Sequence, residues 1–227
     1  CAMDRRKRVA RRGAHPHRVL YPGRAAMSLW AVVLTFLTPS TPETALWGER
    51  LYLRPPRRRD WRQWAELRAL SRDFLTPWEP SWASDALSRT AYRRRLQRYA
   101  EEWERDEGYA FFLFRKDDDQ LLGGITLGNV RRGVAQCGSF GYWMGVPFAG
   151  QGHMTEAVRL GLRFAFVTLG LHRVEAACLV HNEASRRVLE KSGFVREGLA
   201  RGYLKIDGKW QDHLLYATLR EDFRDRL

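Results

Sequence analysis

Apolar residues recur with two different periods between residues 51 and 219, and the two periods predict an alternation of strands and helices. Short apolar runs bounded by turn residues predict strands at residues 51–54, 109–114, 121–130, 135–145, 172–180, 199–206 and 210–219. A helical period predicts helices at residues 61–70, 152–168 and 183–191, and a further one that begins at Ser84 or Asp85. The α/β (α+β) class follows, with a mixed, mostly antiparallel sheet of about seven strands flanked by about four helices.

Three local signals add detail to this pattern. An apolar stripe at helical spacing, expected to face the core, consists of Tyr92, Leu96, Tyr99 and Trp103. Asp207-Gly208 between the last two strands is typical of a tight hairpin turn. Asp60 is the expected cap of the first helix, because a short acidic side chain accepts hydrogen bonds from free helix amides.

Residues 1–48 differ in composition from the rest of the chain. Residues 4–24 are basic and rich in Pro and Gly, which indicates disorder. The apolar run at residues 29–37 is too short to span a bilayer, and no small-x-small cleavage site follows it, so neither a membrane span nor an exported precursor is expected. We expect residues 1–48 to be a disordered extension or an upstream-extended reading frame with Met27 as the start, and residues 49–227 to be the folded domain.

The charge and the cysteine content indicate the kind of partner and the cellular compartment to expect. A net charge of +13 indicates attraction to an anionic partner, such as nucleic acid, a ribosome, an acidic protein or the phosphates of a coenzyme. Three cysteines are too few and too scattered for a disulfide framework, which favours the cytoplasm. Cys137 and Cys178 fall in predicted strands and are expected to be buried rather than nucleophilic.

The loop at residues 147–157 carries the first chemical signal. Gly150 and Gly152 allow a ligand to approach the backbone closely, and the amides of residues 152–155 are those of a helix start. Such an end attracts phosphate. The loop lacks the Lys-Ser/Thr of a Walker site and the third glycine of a dinucleotide fingerprint, so an ordinary turn remains the alternative on this evidence alone.

The C-terminal third adds several motifs in a fixed order. They are Leu171-His172-Arg173-Val174-Glu175-Ala176, His181-Asn182-Glu183-Ala184-Ser185, Leu189-Glu190-Lys191-Ser192-Gly193-Phe194, Glu197-Gly198 and the stretch from Tyr203 to His213 with Asp207-Gly208 and Trp210 inside it. With the glycine loop, these motifs resemble the GNAT superfamily of acyl-CoA-dependent N-acetyltransferases, and most of all its RimJ/RimL branch. The resemblance covers about residues 50–222. It departs from the family at Pro147, where an Arg or Gln usually begins the phosphate loop.

The resemblance implies a sheet that splays in its middle to admit the pantetheine arm of acetyl-CoA, with no metal. The residues implied in binding this co-substrate are Trp143, Met144, Gly145, Gly150, Gln151, Gly152, His153, Met154, Thr155, Asn182 and Ser185. Main chain around Trp143, Met144 and Gly145 would hydrogen-bond the pantetheine and hold the thioester carbonyl, where an N–H stabilises developing negative charge. Asn182 is either a grip on pantetheine or a helix N-cap, and both roles are compatible.

Three side chains are the candidates for the chemistry. Ser185, one turn into the helix, would protonate the departing thiolate; the alternative is a structural serine at a helix start. Glu79 and His213 are the candidate bases, the alternatives being an exposed loop carboxylate and a packed strand histidine. Tyr142 and Tyr203 are weaker proton donors. An α-amine has a pKa of about 7.7–8.0 against about 10.4 for lysine, so an N-terminal acceptor needs only a modest base.

The expected function is acetylation of the N-terminal α-amine, Ala or Ser, of a ribosomal or other protein, by direct attack in a ternary complex and with possible ribosome association. The alternative within enzymes is a small-molecule amine such as an aminoglycoside or a polyamine. A basic RNA-binding module is a further alternative, since basic and aromatic residues together bind single strands. No metal, no membrane partner and no sequence-specific nucleic acid are expected, because the histidines are dispersed and no recognition motif is present.

Overall fold

Eight strands form one sheet within residues 44–224, the part of the chain that the structure, a computed structural model, describes. The strands are β1 (Leu46–Trp47), β2 (Leu51–Arg54), β3 (Tyr109–Arg115), β4 (Leu121–Arg131), β5 (Cys137–Met144), β6 (Arg173–Leu179), β7 (Val195–Ile206) and β8 (Lys209–Leu219). The helices are α1 (Trp61–Leu70), α2 (Arg72–Leu75), α3 (Arg89–Glu104), α4 (His153–Arg163) and α5 (Glu183–Lys191). Beyond Arg163, α4 continues into a π-helical turn, Phe164–Thr168.

The sheet has the order β1-β2-β3-β4-β5-β6-β8-β7, and every neighbouring pair is antiparallel except β5 and β6. These two strands pair only from Cys137 opposite Arg173 to Phe140 opposite Ala176. Beyond that point the last four residues of β5 stay paired with β4, and the last three of β6 stay paired with β8. The splay expected in mid-sheet is therefore confirmed, and we call the opening the β5–β6 gap.

Helices cover both faces of the sheet. Successive side chains of a strand point to opposite faces, so each strand contributes to a hydrophobic core on either side of the sheet. On β3, Phe111 and Leu113 join the cluster that also contains residues of α4, whereas Phe112 and Phe114 join the cluster that contains residues of α1 and α3. Burial on both faces explains why β3 reads as a continuous apolar run. The predicted core positions of α4 and its π-helical turn are confirmed for Val158, Leu162, Ala165 and Phe166, and Leu169 is half-buried.

Three predictions from the sequence need correction. Residues 46–47, assigned to the extension, form the edge strand β1. Helix α3 is capped by Ser88, whose Oγ accepts from Ala91 N at 3.1 Å, and not by Ser84 or Asp85. Asp85 instead pairs with Arg94 at 2.7 Å. The sheet thus has one strand more than expected.

Asp60 precedes α1 as predicted but does not cap it through its side chain. The carboxylate accepts two hydrogen bonds from Arg54, at 2.7 and 2.8 Å, and one from Arg57 N at 2.7 Å. Both partners of the Arg54–Asp60 pair are buried. A buried guanidinium needs a charged partner. The Asp60 carboxylate therefore pairs with Arg54 and does not accept hydrogen bonds from the helix amides.

Residues 1–43, which include the basic segment and the apolar run at residues 29–37, lie outside the described residues, as do residues 225–227. Among residues 44–224, no helix combines the length and the apolar character that crossing a membrane requires.

Candidate functional site

The glycine loop links β5 to α4 in a conformation that two of its residues need glycine to adopt. Gly150 and Gly152 have φ angles of 75° and 82°, in the left-handed region that residues with a Cβ rarely occupy. The start of the loop is fixed by Ser71, whose buried Oγ accepts from Val146 N at 2.9 Å. Gln151 closes it by donating from Nε2 to Pro147 O at 3.0 Å.

The N-terminal end of α4 is open toward this loop. The first hydrogen bond recorded at the helix start runs from Glu156 N to Gly152 O, so the amides of His153, Met154 and Thr155 lie at the helix end without helical acceptors. The side chains of His153 and Met154 are buried, so these residues offer the loop their main chain. Burial, with Arg50 nearby, lowers the pKa of His153 and keeps its imidazole neutral.

Arg50 is a site residue that the sequence did not reveal. Its Nε donates to Glu156 Oε2 at 3.0 Å and its Nη1 to Gln151 O at 3.1 Å, while 48% of the side chain stays exposed. Glu156 also accepts from Arg50 N at 2.9 Å. A guanidinium therefore lies beside the open helix end, although Pro147 occupies the position where the family usually has a basic or amide side chain.

The edge of β5 faces the β5–β6 gap with part of its main chain. Gly145 N donates to Leu122 O at 2.8 Å and is thus engaged with β4. Because successive residues of a strand direct their polar groups to opposite edges, Trp143 also faces β4, and Met144 faces the gap. Of the three residues expected to bind pantetheine through main chain, Met144 is the one whose groups are placed to do so. The Trp143 ring belongs to the cluster on the α1 and α3 face.

Ser185 lies beside the β5–β6 gap, where the two strands have separated. Its Oγ is 2.8 Å from the OH of Tyr142, which lies on the part of β5 that does not pair with β6. It also interacts with the thiol of Cys178, on the part of β6 that does not pair with β5. Ser185 N donates to Asn182 Oδ1 at 3.0 Å, which confirms Asn182 as the N-cap of α5. The cap uses the amide oxygen and leaves the Asn182 NH₂ group as a donor.

The hydroxyl and thiol groups around Ser185 are protonated at neutral pH. Burial raises the pKa of Tyr142, although its hydrogen bond with Ser185 works in the opposite direction. Burial likewise raises the pKa of the Cys178 thiol, which is 5% exposed. The cluster can therefore donate or relay a proton, and it contains no ready thiolate nucleophile.

Glu79 is not a free carboxylate. It accepts from Arg68 Nη1 at 2.8 Å and Nη2 at 2.6 Å, and from Trp82 Nε1 at 2.9 Å. Its carbonyl accepts from Asp207 N, in the β7–β8 turn, at 3.0 Å. Both carboxylate oxygens of Glu79 are therefore engaged in hydrogen bonds. These contacts suit a residue that fixes its loop between α1 and the hairpin.

His213 occupies β8 opposite Leu179, the last residue of β6, so β6 lies between His213 and the β5–β6 gap. It is 3% exposed, its Nδ1 is 3.0 Å from Gln211 O, and its ring contacts Tyr203 edge to face. An imidazole that donates from Nδ1 keeps Nε2 as an acceptor. His213 is both packed in the sheet and equipped to take a proton.

A cavity of about 750 Å³ opens next to the gap. Its walls are the middle of β3, β4 and β5, helices α1 and α3, and the loop between them, including Glu79 and Trp82. Tyr142 and Trp143 form part of the β5 wall. The cavity has the size of a ligand site, so a second reactant has room beside the residues that surround Ser185.

The residues present fit a phosphate-bearing thioester co-substrate. The φ angles of Gly150 and Gly152, the open end of α4 and the Arg50 guanidinium suit phosphate, and the His153 Nδ1 atom is buried with no hydrogen-bond partner among the described residues. A metal finds no comparable set: residues 44–224 contain no cluster of three or more His, Cys, Asp and Glu side chains that could hold one.

Comparisons with known proteins agree with this geometry. The family model for the acetyltransferase (GNAT) domain matches residues 50–195. The probable N-acetyltransferase YjcK of Bacillus subtilis (strain 168) is 40% identical over 175 residues, which are 77% of this chain and 97% of that protein. The [ribosomal protein uS5]-alanine N-acetyltransferase of Escherichia coli (strain K12) is 33% identical over 184 residues, 81% of this chain and 95% of that one. Mycobacterium smegmatis RimJ in complex with CoA-disulfide has a TM-score of 0.76 and 32% identity, covering 80% of this chain and 90% of its own.

Proposed function

This chain belongs to the GNAT family of N-acetyltransferases, and from that premise we propose that it transfers an acetyl group from acetyl-CoA to the N-terminal α-amine, Ala or Ser, of a ribosomal or similar protein. The relative from Escherichia coli, which acts on an alanine of ribosomal protein uS5, supports this acceptor. A structural relative in complex with a CoA species supports the co-substrate. A ribosomal acceptor places the reaction in the cytoplasm and on or near the ribosome.

The observation that carries the proposal is the position of Ser185. Its Oγ lies within hydrogen-bond distance of Tyr142 OH and beside Cys178, so it joins the two strands that border the β5–β6 gap. The open end of α4 and the cavity flank that gap from opposite faces of the sheet. A thioester that enters from one side can thus meet an amine that enters from the other.

Each group has a defined task in this arrangement. The amides at the start of α4, with the Arg50 guanidinium, hold phosphates, and the main chain of Met144 orients the thioester carbonyl. Acetyl-CoA, when bound, supplies the activated acyl group. Ser185 donates a proton to the sulfur that leaves and receives one through its hydrogen bond with Tyr142, which solvent water then reprotonates. His213 is the better candidate to accept the proton of the amine, because Glu79 is engaged with Arg68.

Transfer is expected to be direct, without an acetylated enzyme. Cys137 and Cys178 are buried, and burial raises the pKa of the Cys178 thiol. We expect that enzyme mixed with acetyl-labelled acetyl-CoA, without acceptor, releases no burst of coenzyme A and keeps no covalent label on either cysteine, as measured by rapid quench and intact mass. A label equal to the enzyme concentration that disappears when acceptor is added would show a two-step reaction instead.

The acceptor is tested by competition. An Ala-starting peptide, an aminoglycoside and a polyamine are mixed at equal concentration with acetyl-CoA and enzyme, and the products are counted by mass spectrometry. We expect the peptide to take most of the acetyl groups, on its α-amine. A preference for either small amine overturns the protein acceptor and leaves the acetyltransferase assignment intact.

A further inference from the structure

Most of the charged side chains that line the cavity beside the β5–β6 gap are cationic. Among the described residues on its walls, the arginines are Arg68, Arg94, Arg95 and Arg98, and the carboxylates are Glu79 and Asp85. Guanidinium groups therefore outnumber carboxylates by two. An acceptor that enters this space meets a positive local potential, which is unfavourable for polycations and favourable for carboxylates.

The two carboxylates of the cavity are already engaged. Glu79 pairs with Arg68 at 2.6 Å, and Asp85 pairs with Arg94 at 2.7 Å. Neither pair leaves a carboxylate for a third cation. The charge of the other two arginines is thus not balanced by acidic groups of the cavity wall.

Arg95 is held in place by neutral neighbours. Its Nη1 donates to Tyr99 OH at 3.1 Å, and its guanidinium lies 5.4 Å from the centre of the Trp64 ring. Both neighbours also line the cavity. A guanidinium has five N–H donors, so the bond to Tyr99 leaves most of them for a ligand. Its fixed plane suits a carboxylate, which it can bind through two parallel hydrogen bonds.

Arg98, one turn closer to the end of α3 than Arg95, makes a longer pair. Its Nε is 3.4 Å from Glu102, and 59% of its side chain is exposed. An exposed ion pair of this length is weak. Arg98 therefore adds positive charge to the same cavity wall and is not held firmly by Glu102.

We propose that the cavity selects acceptors with a carboxylate side chain close behind the acetylated N-terminus, and that Arg95 binds this carboxylate with electrostatic support from Arg98. The inference rests on the proposed peptide acceptor. It specifies an acidic residue at position 2, 3 or 4 of the acceptor, the part of an extended chain that a cavity of about 750 Å³ can hold.

The test uses peptides that begin with Ala and carry Glu, Gln or Lys at position 2, 3 or 4 in turn. We expect kcat/KM for the Glu peptide to exceed that of its Gln counterpart by about tenfold at one of these positions, with the Lys peptide lowest. The ratio should fall as ionic strength rises. Equal values for Glu and Gln at all three positions would overturn the inference.

Variants assign the effect to Arg95. In Arg95→Gln, the ratio of Glu to Gln peptides should fall to about twofold or less, and in Arg95→Glu the Lys peptide should become the best of the three. Arg93→Gln, an exposed position on the same helix outside the cavity, should keep the wild-type ratio. Thermal unfolding of each variant shows separately whether it is folded.

Two outcomes have different consequences. An unchanged ratio of Glu to Gln peptides in Arg95→Gln would assign the selectivity to another residue and contradict the inference. Acetylation of small amines but of none of the peptides would show that the proposed function itself is wrong.

Discussion

Gly152→Asp is expected to weaken acetyl-CoA binding by about a hundredfold or more, because a new carboxylate would stand where the account places the phosphates. Gly152 is the residue from which α4 starts, and a Cβ built on it would lie 3.4 Å from Arg50 Nη2. The added carboxylate would therefore compete for the Arg50 guanidinium and would repel the phosphates. Isothermal titration calorimetry of folded protein measures the change.

Gly152→Asn is the matched control for this variant. Asparagine has nearly the same size as aspartate and tolerates the left-handed φ of 82° about as well, but it carries no charge. We expect Asn to reduce the affinity by a much smaller factor than Asp. Equal affinities for wild type and Gly152→Asp would rule out the loop as the phosphate site, and equal losses in both variants would attribute the effect to backbone strain.

Ser185→Ala is expected to lower kcat by about one to three orders of magnitude while the Kd for acetyl-CoA changes little. A proton for the leaving sulfur matters only in the transition state, so its loss should appear in turnover and not in binding. The Ser185 side chain interacts with Tyr142 and Cys178, and the cap of α5 uses its main-chain N–H, which alanine retains. The helix start is thus preserved in the variant.

Tyr142→Phe distinguishes donation from relay. If Tyr142 replaces the proton of Ser185, kcat should fall in this variant too, and the double variant should lose less than the product of the two single losses. Turnover of Ser185→Ala within about twofold of wild type, measured with a peptide acceptor, would make Ser185 structural.

Much of the fold was predictable because its periodic signals are local. Helix α5 has the bounds that its spacing and its Asn182 cap predicted, and Asp207-Gly208 forms the expected turn with φ angles of 43° and 76°. The start of α3 was missed for a physical reason. Ser84, Asp85 and Ser88 are all good capping residues, and the local sequence does not distinguish among them.

The site could be predicted where a sequence motif indicates a backbone conformation, as the glycines Gly150 and Gly152 do. It could not be predicted where residues far apart in the sequence come into contact. The contact of Arg50 with Glu156 joins positions 106 residues apart, and the engagement of Glu79 by Arg68 depends on how its loop packs on α1. The same limit applies to the arginines of the cavity, which look like any other basic residues of a chain with a net charge of +13.

We propose that the coenzyme binds between the open end of α4 and the β5–β6 gap, with its sulfur beside Ser185. A crystal structure of the protein with coenzyme A tests it most directly. We expect phosphate density at the amides of residues 152–155 and near Arg50, pantetheine between β5 and β6, and the sulfur within hydrogen-bond distance of Ser185 Oγ. Coenzyme density outside the gap, or a sulfur out of reach of Ser185, would contradict it.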